Sequence, residues 1–371
     1  MILPVLPLPR LIFGLGAVSS LRDELRLLGV RRPLLISDRG LEKAGAVATL
    51  VRALPDPAAH YLDVPENPTA AGADGGFAAY REGGCDGVVA VGGGSVLDSA
   101  KIVAALAAGG VARAADLLGK SDLVGPGTAP LIALPTTVGT GSDSSPVAAL
   151  HLVAGGPASG TRSPHLVPRV AILDPGLART LPPRLVAATG IDALSHCVEG
   201  FFSEPANPIV DALALDGLAR AYANVKRATE PDADEARGAM MLAAFAGGAG
   251  IHKTLGPAHA IALTCSDQHV HHGLLIAVAL PFTVQLVSRH ATAKADRLAA
   301  AIGLSHGTDL AEALRGLVRS LGLPASLKEL GYQAGSIDAM AEDMVASPFN
   351  RASPYKPTKA EYATILGDLL A

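Results

Sequence analysis

Apolar positions along this chain fall into two regimes. Up to about residue 180, short aliphatic runs bounded by Gly, Pro or Asp alternate with stretches of helical spacing. Arg10 to Gly14 reads as a strand entering the turn Gly14-Leu15-Gly16-Ala17. Leu21 to Leu28 has helical periodicity, and Pro33-Leu34-Leu35-Ile36-Ser37 reads as a buried strand ending at Asp38. Ala46 to Leu54 is a helix, Ala59 to Val64 a strand, and Glu66-Asn67-Pro68-Thr69 a turn into another helix. Gly87-Val88-Val89-Ala90-Val91 leads through Gly92-Gly93-Gly94-Ser95 into an Ala-rich helix from Val96 to about Ala108. Pro130 to Leu134 and Val170 to Leu173 are further strands, stopped by Pro135 and by Asp174-Pro175. Strands alternating with helices predict an α/β domain over 1–180 with a doubly wound parallel sheet.

After Leu181-Pro182-Pro183 the period changes. Segments with 3.6-residue spacing follow at about Ala187–Phe202, Pro208–Tyr222, Asp232–Ile251, His272–Ser288, Ala291–Ile302 and Thr308–Leu321. Nothing there alternates like a strand, so 181–371 reads as an all-α domain. The Pro182-Pro183 pair is the expected hinge, and a cleft between two domains is the default place for a site.

The helical half carries the first chemistry. Asp192 and His196 are four apart, which puts both side chains on one helix face a turn apart. A carboxylate and an imidazole so placed form half of a divalent-metal site, although a solvated pair has the same spacing. The other half is expected downstream, in His259 and then Asp267-Gln268-His269-Val270-His271-His272-Gly273, a concentration of imidazoles that suits metal or proton chemistry.

Composition narrows the reading. A chain of 371 residues suits two domains, and 49% hydrophobic residues with 4% aromatics and no Trp give a core of Ala, Leu and Val. A formal charge of −4 supplies no basic field, which argues against a nucleic-acid partner. Cys85, Cys197 and Cys265 are few, odd in number and widely spaced, as expected of reduced thiols in a cytoplasmic protein. The N-terminus lacks a basic region and is broken by Pro, so no signal peptide is read, and apolar runs are interrupted before ~18 residues, which argues against a membrane span.

Two loops of the first half suit a nucleotide. Gly93, Gly94 and Ser95 open a helix after a strand, where bare backbone amides and the helix dipole favour a phosphate, with Asp98 one turn on. The same glycines also suit a plain tight turn. Asp38, ending the second strand, can accept from a ribose 2′-hydroxyl and repels a 2′-phosphate, so NAD is favoured over NADP, with Arg39 beside it acting the other way. Thr136, Thr137, Thr140 and Ser142 make a hydroxyl-rich loop after Pro135, a pattern shared with ordinary Ser/Thr turns.

Taken in order, these motifs resemble the iron-containing (group III) alcohol dehydrogenase family. The resemblance runs from Phe13-Gly14-Leu15-Gly16-Ala17 through Asp38, Asn67-Pro68-Thr69, Gly92 to Lys101, Pro135 to Ser142 and Asp174-Pro175. It continues into Thr189 to Glu199, His259, His272-Gly273 and Asn350-Arg351. It implies a dinucleotide-binding N-terminal domain and a metal-holding helical domain. Asp192, His196, His259 and His272 match the metal ligands, with Fe²⁺ or Zn²⁺ both compatible. Asp38, Asn67, Gly94, Ser95, Thr136, Thr137 and Thr140 match cofactor contacts. The implied activity is NAD-dependent interconversion of a short alcohol or hydroxy acid with its aldehyde or ketone, the metal acting as a Lewis acid and the nicotinamide carrying hydride. The implied assembly is a homo-oligomer, often a dimer.

The chain also departs from the family. A second His usually follows the third ligand by four residues, and here that place is Leu263. The segment from His259 to His272 is one residue shorter than usual, leaving His271 or His272 as fourth ligand, with His272 favoured because Gly273 follows it. His269 and His271 are stand-ins for the missing relay. Ala158 replaces a frequent Lys and Ile276 a frequent Asn. Lys253, six residues before His259, is expected at the mouth of the metal site as a point charge for a substrate carboxylate, although a Lys on an ordinary surface reads the same way. Glu199 is expected to pack its helix or to support His196. Three other readings compete: a maleylacetate-type reductase without metal, a dehydroquinate-synthase-like cyclase with a different ligand pattern, and a decayed cofactor-binding homologue. The intact ligand quartet argues against decay.

Overall fold

The computed structural model describes residues 7–371 except 53, 55–57, 157 and 269, and the backbone alone of Thr49. The chain divides into two compact units between Leu181 and Pro182.

In the first unit, eight strands among the described residues alternate with helices: β1 (Arg10–Phe13), α1 (Leu21–Leu27), β2 (Pro33–Ile36), α2 (Arg39–Lys43), α3 (Ala46–Val51), β3 (Ala59–Tyr61), α4 (Ala70–Glu82), β4 (Gly87–Gly92), α5 (Gly94–Leu106), α6 (Ala114–Leu117), β5 (Leu131–Pro135), β6 (Val147–His151), β7 (Ala158–Arg162) and β8 (Val170–Leu173). Six of them form one parallel sheet in the order β1-β8-β5-β4-β2-β3. Side chains alternate across it. Leu35, Val89, Val91, Ile132 and Ile172 pack with Leu21 and Leu25 on one face, while Leu34, Ile36, Val88 and Ala90 pack with Val96, Leu97 and Ala100 on the other. β2 leads outward to β3, whereas β4 leads the opposite way to β5. The strand order therefore reverses between β2 and β4, and a ligand is expected outside the carboxyl ends of that pair. Ser37 Oγ donates to the Val91 carbonyl at 2.8 Å and ties those ends together.

Strand and helix types follow the sequence reading, with shifted ends. β3 stops at Tyr61 rather than Val64, and the Ala-rich helix starts at Gly94 rather than Val96. The sequence reading contains no β6/β7 hairpin. Its alternation is carried by Ala148 and Leu150 between half-buried neighbours, a pattern too Ala-rich to read as a strand.

The second unit is helical: α7 (Pro183–Phe202), α8 (Pro208–Ala228), α9 (Asp234–Ile251), α10 (Pro257–Thr264), α11 (His272–His290), α12 (Thr292–Ala301), α13 (Leu310–Ser320), α14 (Ile337–Ala346) and α15 (Lys359–Leu370). Pro182 caps α7 and Pro183 occupies its first position, so the pair at the division between the units starts a helix. α7 is buried almost all round, and glycines let its neighbours close on it. A Cβ at Gly250 would come within 2.9 Å of the His196 carbonyl oxygen, and one at Gly247 within 2.8 Å of His196 Cβ. Glycine costs about 1 kcal/mol in a helix interior, and this close approach is its return. α11 is long and apolar enough to cross a membrane by length and composition, but 72% of that window is buried inside the unit, as in a core helix.

Candidate metal centre and nucleotide turn

α7 presents Asp192 and His196 one turn apart, both nearly buried. α10 contributes His259 from its first turn, and α11 opens with His272. Asp192 Oδ1 is 3.6 Å from His196 Nε2, 3.8 Å from His259 Nε2 and 3.6 Å from His272 Nε2. Ligand atoms of Asp192, His196 and His259 all lie within 4.8 Å of one another. Four donors at ~2.1 Å around a tetrahedral ion stand about 3.4 Å apart, close to the observed spacing. Asp192 Oδ1 and His259 Nε2 are buried without a hydrogen-bond partner among the described residues. Such atoms cost free energy unless something else meets them, and a divalent cation fits both. Burial pushes the Asp192 carboxyl up to about 7, against the pull of His259 and with a push from Glu199. Crowding by protein atoms, then the His259 and His271 imidazoles, holds His272 below its usual range, although 47% of its side chain stays exposed. Its place is set by Gly273, where a Cβ would collide with the Ala188 carbonyl of α7.

His271 takes a different task. Its Nδ1 accepts from the Gly273 backbone N–H at 3.2 Å, capping α11, so His272 is the imidazole brought to Asp192. Leu263 stands half-buried in the place of the usual relay histidine, and His269 lies outside the described residues.

Two readings of the helical unit need correcting. Glu199 supports His259 rather than His196: its Oε2 lies 2.5 Å from His259 Nδ1, and its Oε1 accepts from Ala258 N at 2.7 Å. Lys253 is not at the mouth of a site. Its side chain is 2% exposed, with Nζ 2.5 Å from Asp211 Oδ1 on α8. The next residue in the chain is Thr254, whose φ of 88° is strained for a β-branched residue. Phe349, missed from sequence, leans its half-buried ring on His259 with centroids 5.6 Å apart. Its position, remote in sequence from every His, gave no signal.

In the first unit, the expected cofactor residues converge at the β2/β4 switch. Gly93 caps α5, and a Cβ there would meet Thr137 Cγ2 at 3.0 Å; one at Gly94 would meet Thr140 Cγ2 at 3.1 Å. The Thr-rich loop thus closes on the glycine turn, held also by Thr136 N donating to the Gly92 carbonyl at 3.0 Å. Ser95 Oγ donates to the Glu66 carbonyl at 2.5 Å, which brings the turn bearing Asn67 alongside. Thr137 Oγ1 is buried with no hydrogen-bond partner, as a contact waiting for a ligand would be. Asp38 caps α2, its Oδ1 accepting from Leu41 N at 2.9 Å. Arg39 is engaged by Asp63 at 2.8 Å and Glu42 at 2.9 Å.

Asp98, expected among the cofactor contacts, instead accepts from Ser142 Oγ at 2.5 Å and Ala149 N at 2.9 Å. It locks the Ser/Thr loop and β6 to α5. Lys101 completes the lock, fully buried and donating to the carbonyls of Ser145 at 3.0 Å and Val147 at 2.7 Å. Burial lowers its pKa to about 8 and raises that of buried Asp143 to about 7.

Comparison with known proteins gives the same assignment over the whole chain. The model described as iron-containing alcohol dehydrogenase matches residues 9–175, and that for the C-terminal part of the same family matches 186–370. A 4-hydroxybutyrate dehydrogenase of Cupriavidus necator is 37% identical over 365 residues, 95% of each chain. Among solved structures, a 1,3-propanediol oxidoreductase superposes with a TM-score of 0.91 at 30% identity, covering 99% of this chain and 100% of its own. A sulfoacetaldehyde reductase from Bifidobacterium kashiwanohense in complex with NAD⁺ does so with 0.93 at 26% identity, covering 100% and 99%.

Proposed function

This chain belongs to the iron-containing alcohol dehydrogenase family and is a metal-dependent alcohol or hydroxy-acid oxidoreductase, and from that premise we propose that it uses NAD and Fe²⁺ to interconvert a short ω-hydroxy acid with its semialdehyde. One observation carries the metal: the partnerless Asp192 Oδ1 within 3.6 to 3.8 Å of three imidazole nitrogens. Zn²⁺ suits the same donors, and iron is favoured here by the description of the family to which the chain belongs. NAD is supported by Asp38 at the ribose end of the switch, by the engagement of Arg39 with two carboxylates, and by the NAD⁺ held in the related reductase. The acid is supported by the activity of the 4-hydroxybutyrate relative, since Lys253 is spent on Asp211.

When bound, the ion supplies a Lewis acid that favours the alkoxide form of the substrate. Asp192, His196, His259 and His272 would hold it, the imidazoles neutral with Nε2 as donor. Glu199 Oε2 lies 2.5 Å from His259 Nδ1, on the far side of the ring from the cluster. Gly93, Gly94, Ser95, Asn67 and the threonines Thr136, Thr137 and Thr140 bind and orient the dinucleotide. Leu263 removes the protein's proton route at the usual relay position.

We further place the enzyme in the cytoplasm as a homodimer. Three free thiols support the first. The second is supported by edge strand β1, where Leu11, Phe13 and nearby Leu15 are 38%, 47% and 63% exposed. Elemental analysis with an NADH-coupled screen of 4-hydroxybutyrate, 1,3-propanediol and ethanol tests the whole reading. Stoichiometric iron and preference for the acid are expected; a metal-free protein without NADH turnover on the panel would defeat it.

A further inference from the structure

We infer that Glu199 is a positioning residue for the metal, fixing the tautomer of His259 and completing the charge balance of a divalent ion, and that residue 256 is glycine to leave that carboxylate room. The inference rests on the metal reading above.

Glu199 lies two turns beyond Asp192 on α7, on the same face, and is 4% exposed. A carboxylate only accepts, so its 2.5 Å contact with His259 Nδ1 selects the tautomer protonated there and leaves the Nε2 lone pair free. That Nε2 is the buried, partnerless nitrogen 3.8 Å from Asp192 Oδ1. The other oxygen of Glu199 is pinned by Ala258 N at 2.7 Å, in the first turn of α10, where the helix dipole favours negative charge. With the imidazoles neutral, Asp192 and Glu199 are the two buried negative charges of the cluster, and a divalent cation brings the sum to zero.

Gly256 strengthens the argument. Its φ of −144° and ψ of −159° are extended values open to any residue, so the backbone does not call for glycine. A Cβ there would lie 2.7 Å from Glu199 Oε1 and 3.1 Å from Cδ. What glycine provides is space for the carboxylate.

Glutamine at 199 has the same shape and the wrong chemistry. With its oxygen toward His259, its NH₂ faces the Ala258 N–H, donor against donor. Turned round, it forces the His259 proton onto Nε2, which then has no lone pair for a cation.

The test measures the Zn²⁺ dissociation constant of the full chain by chelator competition, and melting temperature with and without Zn²⁺. Glu199→Gln is expected to weaken binding roughly 10- to 100-fold and to shrink the metal-induced rise in melting temperature. Gly256→Ala, which keeps the charge and displaces it, is expected to weaken binding about tenfold, and it carries the test if Glu199→Gln does not fold. A wild type that binds Zn²⁺ while both variants bind within about threefold of it, or lose equal melting temperature with and without metal, overturns the inference, leaving Glu199 a packing residue. A wild type that binds no Zn²⁺ at micromolar concentration instead sinks the metal reading, and this inference with it.

Discussion

Asp192 Oδ1 lies 3.6 Å from Nε2 of His196, one helical turn away, and that oxygen has no hydrogen-bond partner among the described residues. Without a metal this arrangement costs stability. The carboxyl is raised from 3.8 to about 7, so its contribution is complete below pH 3.8 and is lost as pH rises toward 7. Asp192→Asn does not titrate. The metal-free variant is therefore expected to lose less stability than the metal-free wild type between pH 5 and pH 8, by on the order of a few kcal/mol. Added Zn²⁺ is expected to stabilise the wild type and leave the variant unchanged. Urea midpoints at both pH values, with chelator and with Zn²⁺, check this; parallel curves for the two proteins would refute it.

The cluster of Asp192 with His196, His259 and His272 was legible because its first half sits at i, i+4 on one helix, a spacing that fixes a shared face whatever surrounds it. The same logic fails at Glu199. Helical spacing puts Glu199 on the Asp192 face but does not say which neighbouring helix it meets, and the partner turned out to be His259 on α10. Lys253 shows the opposite error. Six residues from His259 suggested nearness, but its ammonium lies against Asp211 on α8. The packing of the Thr-rich loop on the glycine turn was legible where glycines and hydroxyls flank strand ends. Asp98 was misread because a carboxylate in a phosphate turn looks like a ligand contact, when its two oxygens brace the loop that closes over the turn. The short α10 and the late helices α14 and α15 went unread, and α10, with eight residues, is too brief for its periodicity to show.

Lys253→Met is expected to act on stability and not on selectivity. It strands Asp211, but that carboxylate retains 21% exposure and is partly rehydrated, so the loss should be about 2 kcal/mol, below the 3 to 5 of a fully buried broken pair. The ratio of kcat/KM for 4-hydroxybutyrate over ethanol should stay within about twofold of wild type. A shift beyond tenfold, at unchanged fold, would return Lys253 to the substrate.

Asp38→Ser separates the two tasks of that residue. A serine hydroxyl can still cap α2 through Leu41 N, so stability should fall by no more than about 1 kcal/mol. The negative charge that repels a 2′-phosphate is gone. The ratio of kcat/KM for NAD over NADP is expected to drop at least tenfold, about 1.4 kcal/mol of discrimination. An unchanged ratio would place the ribose elsewhere.

Phe349 packs its ring against one imidazole of the Asp192 cluster. Its ring tilts 57° against His259, and the neighbouring Asn350 is clamped by Tyr362 Oη at 2.7 Å and by donation to the Met344 carbonyl at 2.5 Å. On the proposed metal reading, a half-buried ring against the His259 imidazole borders the surroundings of the ion, and removing it is expected to open room for carbon chain. Phe349→Ala is expected to raise kcat/KM for pentanol and hexanol relative to ethanol, by roughly fourfold for each methylene that the new space covers, the worth of ~0.8 kcal/mol of transfer free energy. Zn²⁺ affinity should hold within about threefold, because the ring donates nothing to the ion and its edge contact with His259 is worth only about 1 kcal/mol. An unaltered chain-length profile with intact metal binding would mean that the ring faces away from the substrate.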